Sequence, residues 1–266
     1  MTLPLFSPDN DPGPDFAELV RRAGLQPPVP DVLPGGVFEP LTITHGTTVV
    51  AIRYTEGVVM AGDRRATSGN WISHRAMEKV FPADKHSGVA IAGAAGPAME
   101  MVKLFQLQLE HYEKVEGSAL SLEGKANQLG QMVRGNLGAA MQGLAVVPLF
   151  AGYDLRRGAG RLFQYDVTGG RYEEQEFVAT GSGSLHAGTV IKLGHNPQLS
   201  TDDAINLACR ALWEAADADS ATGGPDALRG IYPVVATITA GGWSRINDDD
   251  LAERYVAIAA ESRSRQ

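Results

Sequence analysis

Nine of the 15 prolines in this chain fall within its first 40 residues: Pro4, Pro8, Pro12, Pro14, Pro27, Pro28, Pro30, Pro34 and Pro40. Proline fixes φ and removes a backbone donor, so this segment supplies neither a central strand nor a long helix. One short helix is expected there. Asp15 and Glu18 make a capping-box-like pair, Phe16, Leu19 and Val20 share a face, and Gly24 ends it. The remainder of the segment reads as an extended leader, and the packed core must come from the chain beyond it.

Beyond residue 46 the hydrophobic pattern becomes regular. Strands are expected at Thr48–Tyr54, Val58–Ala61, Lys79–Phe81 and Val89–Ala92, with a turn at Glu56-Gly57. A largely buried helix follows at Ala98–Tyr112, and another at Gly124–Met141. Strands then return at Val146–Tyr153, Arg161–Tyr165 and Gln175–Val178. Helices are expected at Leu185–Lys192 and Asp202–Ala216, a strand at Val234–Ile238, and a last helix over 250–262 capped from Asn247 to Asp250. Such blocks predict segregated α+β layers rather than alternating βαβ units.

The formal net charge of −8 argues against a nucleic-acid partner, which needs concentrated Lys and Arg. No run of about 18 apolar residues predicts a membrane span, and the start lacks the basic-then-apolar pattern of a secretory signal. The single cysteine, Cys209, offers no disulfide framework and sits in a buried-helix pattern, where it reads as a small core hydrophobe rather than a nucleophile. A cytoplasmic protein is the expectation.

Chemistry enters at His45-Gly46-Thr47-Thr48. Asp63, in Ala61-Gly62-Asp63-Arg64, follows Thr47 by 16 positions; Lys79 follows by another 16; Gly93, in Gly93-Ala94-Ala95-Gly96, by another 14. Each fragment alone is unremarkable, since a lone strand lysine usually snorkels and a lone Gly-Asp usually turns. Together they have a chemical logic. A threonine hydroxyl needs a base, and no histidine here has an evident partner in the sequence. If Thr47 became the first residue, its own α-amine, with an unperturbed pKa of about 7.7–8.0, would be that base. An ammonium from Lys79 would lower the amine's pKa further, and a buried Lys79 would need Asp63 as counter-ion.

In combination these segments, with Gly181-Ser182-Gly183-Ser184 and Asp219-Ser220-Ala221-Thr222-Gly223-Gly224, resemble the catalytic β subunits of the 20S proteasome, of the actinobacterial type. These are threonine peptidases among the N-terminal-nucleophile hydrolases. The likeness runs through essentially the whole chain from Thr47 onward. It implies a four-layer αββα sandwich, two antiparallel sheets flanked by helices. It implies a propeptide, residues 1–46, removed by self-cleavage between Gly46 and Thr47, and a mature catalytic domain, residues 47–266. Gly46, lacking a Cβ, permits close approach at that junction.

The resemblance also implies roles for single residues. Thr47 would be the nucleophile, Asp63 and Lys79 its charged partners, and the Gly93 N–H the oxyanion donor. Ser182, Asp219 and Thr222 would orient the amine and a water, Thr222 standing where the family usually has serine. Positions matching the primary substrate pocket are Ala66, Met77, Phe81, Ile91, Ala95 and Met99, all uncharged, so apolar side chains before the scissile bond are expected. Several of these, Ile91 above all, would equally suit the core. Thr67 and Ala95 would pair with an extended peptide through their backbones.

Partners implied are α subunits, further β subunits in homo-oligomeric heptameric rings stacked into a barrel, a regulatory ring ATPase, and protein substrates tagged with a small protein modifier. No metal or organic cofactor is implied. Two relatives of the reading are weaker: the shorter two-component ATP-dependent peptidase has only a minimal leader, and a barrel-only subunit would lose Thr47, Asp63 or Lys79. A binding protein with a disordered tail would leave the spacing unexplained. There is no G-x-S-x-G elbow and no phosphate-binding loop.

Overall fold

The structure is a computed structural model that describes residues 46–264. The helix expected between Asp15 and Gly24 lies outside the described residues.

Two five-stranded antiparallel sheets face one another. The first has the order β10-β1-β2-β11-β12, from β1 (Thr48–Tyr54), β2 (Gly57–Gly62), β10 (Phe177–Gly181), β11 (Val234–Thr239) and β12 (Gly242–Arg245). The second has the order β5-β6-β7-β8-β9, from β5 (Val80–Asp84), β6 (Ser87–Gly93), β7 (Val146–Asp154), β8 (Ala159–Tyr165) and β9 (Arg171–Glu174). A small hairpin, β3 (Ala66–Ser68) and β4 (Trp71–His74), stands beside them.

The period-two alternation of β1 explains the layering. Val49 and Ala51 join Val58, Met60, Ala90, Leu149 and Leu162 in an apolar layer between the sheets. Val50 and Ile52, on the other face, pack with residues of α4 (Ser184–Gly194), α5 (Thr201–Ala218) and α6 (Asp248–Ser264). On the far side of the second sheet, Val89, Ile91, Phe150 and Phe163 pack with Phe105 and Leu109 of α1 (Ala95–Glu116) and Leu129 of α2 (Leu122–Gly135). Because successive strand side chains point to opposite faces, both sheets are apolar on both sides, as the middle layers of a sandwich must be. The expected αββα architecture is thus the one observed. No described helix is long and apolar enough to cross a membrane.

Some boundaries differ from expectation. The helix expected over Gly124–Met141 is broken at Asn136, whose side-chain amide donates to Leu144 O (3.3 Å), leaving a short α3 (Leu137–Ala140). The strand expected at Gln175–Val178 starts two residues later, at Phe177: β9 ends at Glu174, and Gln175 and Glu176 form the connection between the sheets. Lys79 precedes β5 rather than opening it. Helix α5 begins at Thr201, with Ser200 as the cap that accepts from the Asp203 N–H (3.2 Å). Asn247 caps α6 by accepting from the Asp250 N–H (2.8 Å), as its position predicted, although the helix starts earlier, at Asp248. Cys209 is fully buried in α5.

Candidate active site

The site gathers where β1 begins and β2 ends. Antiparallel pairing sets Val49 opposite Gly62, which carries Asp63 to the level of Thr48. The Asp63 N–H donates to Thr48 O (3.1 Å), and the Thr48 N–H donates back to Asp63 Oδ1 (2.9 Å). Asp63 Oδ2 accepts from the N–H groups of Arg65 and Gly223, both at 2.9 Å. A fully buried carboxylate is tolerated only with such a set of donors, and Asp63 is 0% exposed.

Lys79 supplies the compensating charge. Its Nζ donates to Asp63 Oδ1 (2.6 Å), Arg65 O (2.5 Å) and Gly46 O (3.2 Å), so each of its three protons has an acceptor. Burial pushes the Lys79 ammonium below its ordinary value, against the opposing pull of Asp63.

Gly46 and Thr47 sit directly over this pair. Thr47 Oγ1 donates to Gly46 O (2.8 Å), and the Gly46 N–H donates to Thr67 Oγ1 (3.2 Å). A Cβ on residue 46 would lie 2.2 Å from Ala221 Cβ and 2.5 Å from Ala221 O, so only glycine fits the junction. The carbonyl of Gly46 therefore carries two donors, one from the candidate nucleophile and one from a buried cation.

On the other side of Thr47, the Ser182 N–H donates to Thr47 O (2.8 Å), and the Thr47 N–H donates to Ser182 Oγ (3.4 Å). Ser182 Oγ donates to Asp219 Oδ2 (2.5 Å), which also accepts from Thr222 Oγ1 (2.6 Å). Partial burial of Asp219 raises its pKa, but the hydroxyls of Ser182 and Thr222 and the Ala221 N–H outweigh it and hold the carboxyl below its ordinary value. Ser182, Asp219 and Thr222 are thus brought together beside the Thr47 nitrogen.

Gly93 closes β6, in the sheet that β1 packs against. It has φ +109°, and a Cβ there would fall 2.1 Å from Ala145 O. The backbone itself demands glycine at this position. Among the pocket candidates, Ile91 is 4% exposed and belongs to the apolar cluster beneath α1, with Phe81 and Met99 half-buried against it. Ala66, Met77 and Ala95 are half-buried; Ala66 opens β3, the Met77 N–H donates to Arg64 O (3.0 Å), and Ala95 opens α1.

Three features escaped the sequence reading. Thr48 is wholly buried and bonded through both its backbone and its hydroxyl. Thr67 accepts from the Gly46 N–H through its side-chain hydroxyl. Ala221 walls in Gly46 from a loop 175 positions away. A polar residue opening a strand that is apolar from Val49 to Ile52 was the one signal available for Thr48.

Comparison with known proteins gives a consistent picture. Residues 43–228 match the family described as Proteasome subunit. A "Proteasome subunit beta" of Acidimicrobium ferrooxidans is 58% identical over 265 residues, covering 100% of this chain and 96% of that protein. A protein of the same description from Streptomyces griseus subsp. griseus is 57% identical over 229 residues, covering 84% of this chain and 82% of its own length.

Proposed function

This chain belongs to the proteasome subunit family, and from that premise we propose that it is the catalytic β subunit of the proteasome core, a threonine-type endopeptidase with Thr47 as nucleophile. The observation that carries the reading is the junction itself: Thr47 Oγ1 and the Lys79 ammonium both address the carbonyl oxygen of Gly46, at 2.8 and 3.2 Å.

Self-cleavage follows from those atoms. Thr47 Oγ1 attacks the Gly46 carbonyl carbon, and negative charge grows on an oxygen already facing Lys79. The carbon–nitrogen bond breaks, the hydroxyl proton ends on the Thr47 nitrogen, and Gly46 is left as an ester. Water hydrolyses the ester, returning a proton to Oγ1 and releasing residues 1–46 as a propeptide with a terminal carboxylate. Residues 47–266 are then the mature catalytic domain.

The freed amine becomes the base for peptide substrates. Lys79, held by Asp63, disfavours its protonated form, while Ser182, Asp219 and Thr222 orient it. The Gly93 N–H is assigned to the substrate's oxyanion. Thr67 and Ala95 pair with the substrate backbone, and Ala66, Met77, Phe81, Ile91, Ala95 and Met99 give the pocket its apolar preference.

The subunit assembles with α subunits into a cytoplasmic barrel of heptameric rings. A ring ATPase feeds it unfolded proteins carrying a small protein modifier. The leader masks Thr47 and aids assembly. Intact-mass measurement of wild type and Thr47→Ala, each co-expressed with α subunits, tests the reading. Loss of residues 1–46 only in wild type, with hydrolysis of a short apolar peptide, is expected. Equal trimming of both overturns self-cleavage.

A further inference from the structure

A closed circuit of hydrogen bonds links the residue after the proposed nucleophile to the carboxylate beside the nucleophile's nitrogen. The Gly183 N–H donates to Thr48 Oγ1 (3.0 Å), and Thr48 Oγ1 lies 2.6 Å from Thr222 Oγ1. Thr222 Oγ1 donates to Asp219 Oδ2 (2.6 Å), and so does Ser182 Oγ (2.5 Å). Ser182 precedes Gly183, which closes the ring.

The proton directions are determined. An ionised carboxylate only accepts, and Asp219 is held in that form, so the one hydroxyl proton of Thr222 goes to Asp219. Thr222 must then accept from Thr48, and Thr48 uses its lone pair for the Gly183 N–H. The hydroxyls of Thr48 and Thr222 each have one role as donor, so removing the Thr48 hydroxyl leaves a fully buried Thr222 oxygen free to turn and strands the Gly183 N–H.

The same residue serves the other half of the site. The Thr48 N–H donates to Asp63 Oδ1, the oxygen that also receives Lys79 Nζ. The ring also accounts for a glycine: a Cβ on Gly183 would lie 2.5 Å from Thr48 Oγ1 and 2.7 Å from Thr222 Oγ1. Its φ of −87° would suit any residue, so the two hydroxyls, not the backbone, exclude a side chain.

We infer that Thr48 is a positioning residue for the Thr47 reaction, its hydroxyl orienting Thr222 so that Asp219 and Ser182 hold the Thr47 nitrogen. The inference rests on the reading of Thr47 as nucleophile and deepens it. Thr48 touches no reacting atom through its side chain; it acts through Asp219.

The test uses the full chain co-expressed with α subunits and a short apolar fluorogenic peptide. Thr48→Val, nearly isosteric, is expected to lower kcat about tenfold or more with KM within about twofold of wild type. Thr48→Ser restores the hydroxyl and should recover kcat to within about threefold. In an Asp219→Asn background, Thr48→Val should cost less than about a further twofold, because both changes break one circuit. Gly183→Ala pushes on the same hydroxyls from the opposite side and should reproduce the kcat loss; it decides the matter if Thr48→Val does not assemble. Wild-type kcat in Thr48→Val, or in Gly183→Ala where Thr48→Val fails to assemble, overturns the inference. So does Thr48→Ser as impaired as Thr48→Val, or a fully additive loss with Asp219→Asn. Thr47→Ala separates the two levels: if it is inert while Thr48→Val is unimpaired, only this inference fails, whereas an active Thr47→Ala removes the reading beneath it.

Discussion

Lys79 Nζ stands 2.6 Å from Asp63 Oδ1, both side chains almost wholly shielded from water, and Gly46 O occupies a further position on the same ammonium. A buried ion pair of this kind stabilises mainly in the sense that losing either partner strands the other. The pair thus ties the catalytic proposal to the stability of the sheet ends that carry it.

Lys79→Met and Asp63→Asn are each expected to destabilise the subunit by about 3–5 kcal/mol, with the double variant costing clearly less than the sum. Lys79→Arg should not rescue activity, since a planar guanidinium cannot place three donors on Asp63, Arg65 O and Gly46 O. Denaturant unfolding of the four proteins checks the first statement and peptide hydrolysis the second. Additive losses would mean that the two groups do not act as a pair.

The pH profile of hydrolysis carries a sign. Burial lowers the Lys79 pKa, so its proton is shed below the 10.5 of an ordinary lysine. If the ammonium is needed, kcat/KM must fall on the alkaline side before pH 10.5 is reached. An acid limb at or below about pH 8 should report the Thr47 amine. Activity holding level through pH 10.5 would contradict a charged Lys79.

Gly46→Ala should slow release of the leader. The new methyl meets Ala221 Cβ and Ala221 O, and overpacking of this kind costs about 1–3 kcal/mol, a slowing of about 10–100-fold. An intact-mass time course after mixing with α subunits reads the rate. Adding Ala221→Gly should recover part of the loss, because it removes one of the two contacts and leaves the carbonyl. Wild-type processing in Gly46→Ala would show that the junction is not sterically gated.

Gly93→Ala tests the oxyanion assignment. At φ +109° and facing Ala145 O, any side chain must displace the end of β6 and its N–H. A drop in kcat of about 10²–10³ is expected, together with about 1–3 kcal/mol of lost stability. Unchanged kcat alongside a lowered Tm would make Gly93 structural alone.

Cys209 should be chemically silent in the native protein. Burial in α5 pushes its thiol up to about 11, so the thiolate is roughly a thousandth of the population at pH 8. A thiol reagent at that pH should label only unfolded chain. Prompt native labelling would show that α5 opens easily.

Local pattern carried the sequence reading a long way. The apolar run at Thr48–Tyr54, the long apolar helix at Met99–Leu109 and the cap at Asn247 are short-range signals, and the segregated α+β layering follows from them. It failed where tertiary contacts decide, as at Asn136, whose side chain breaks a continuous helical pattern by reaching Leu144 O, and at Gln175, which lies between two strands.

The site divides in the same way. Thr47, Asp63, Lys79 and Gly93 stood out in the sequence through the family resemblance that their segments carry together, and Thr47 also because a hydroxyl that lacks a histidine needs another base. The bonds among them, the confinement of Gly46 by Ala221 and the tie from Thr48 to Thr222 were not. Ala221 and Thr222 lie more than 170 positions from the residues they meet, and only the packing of the start of β1 against a distant loop brings them together. Chain order specified which groups are present; folding specified which of them share a proton.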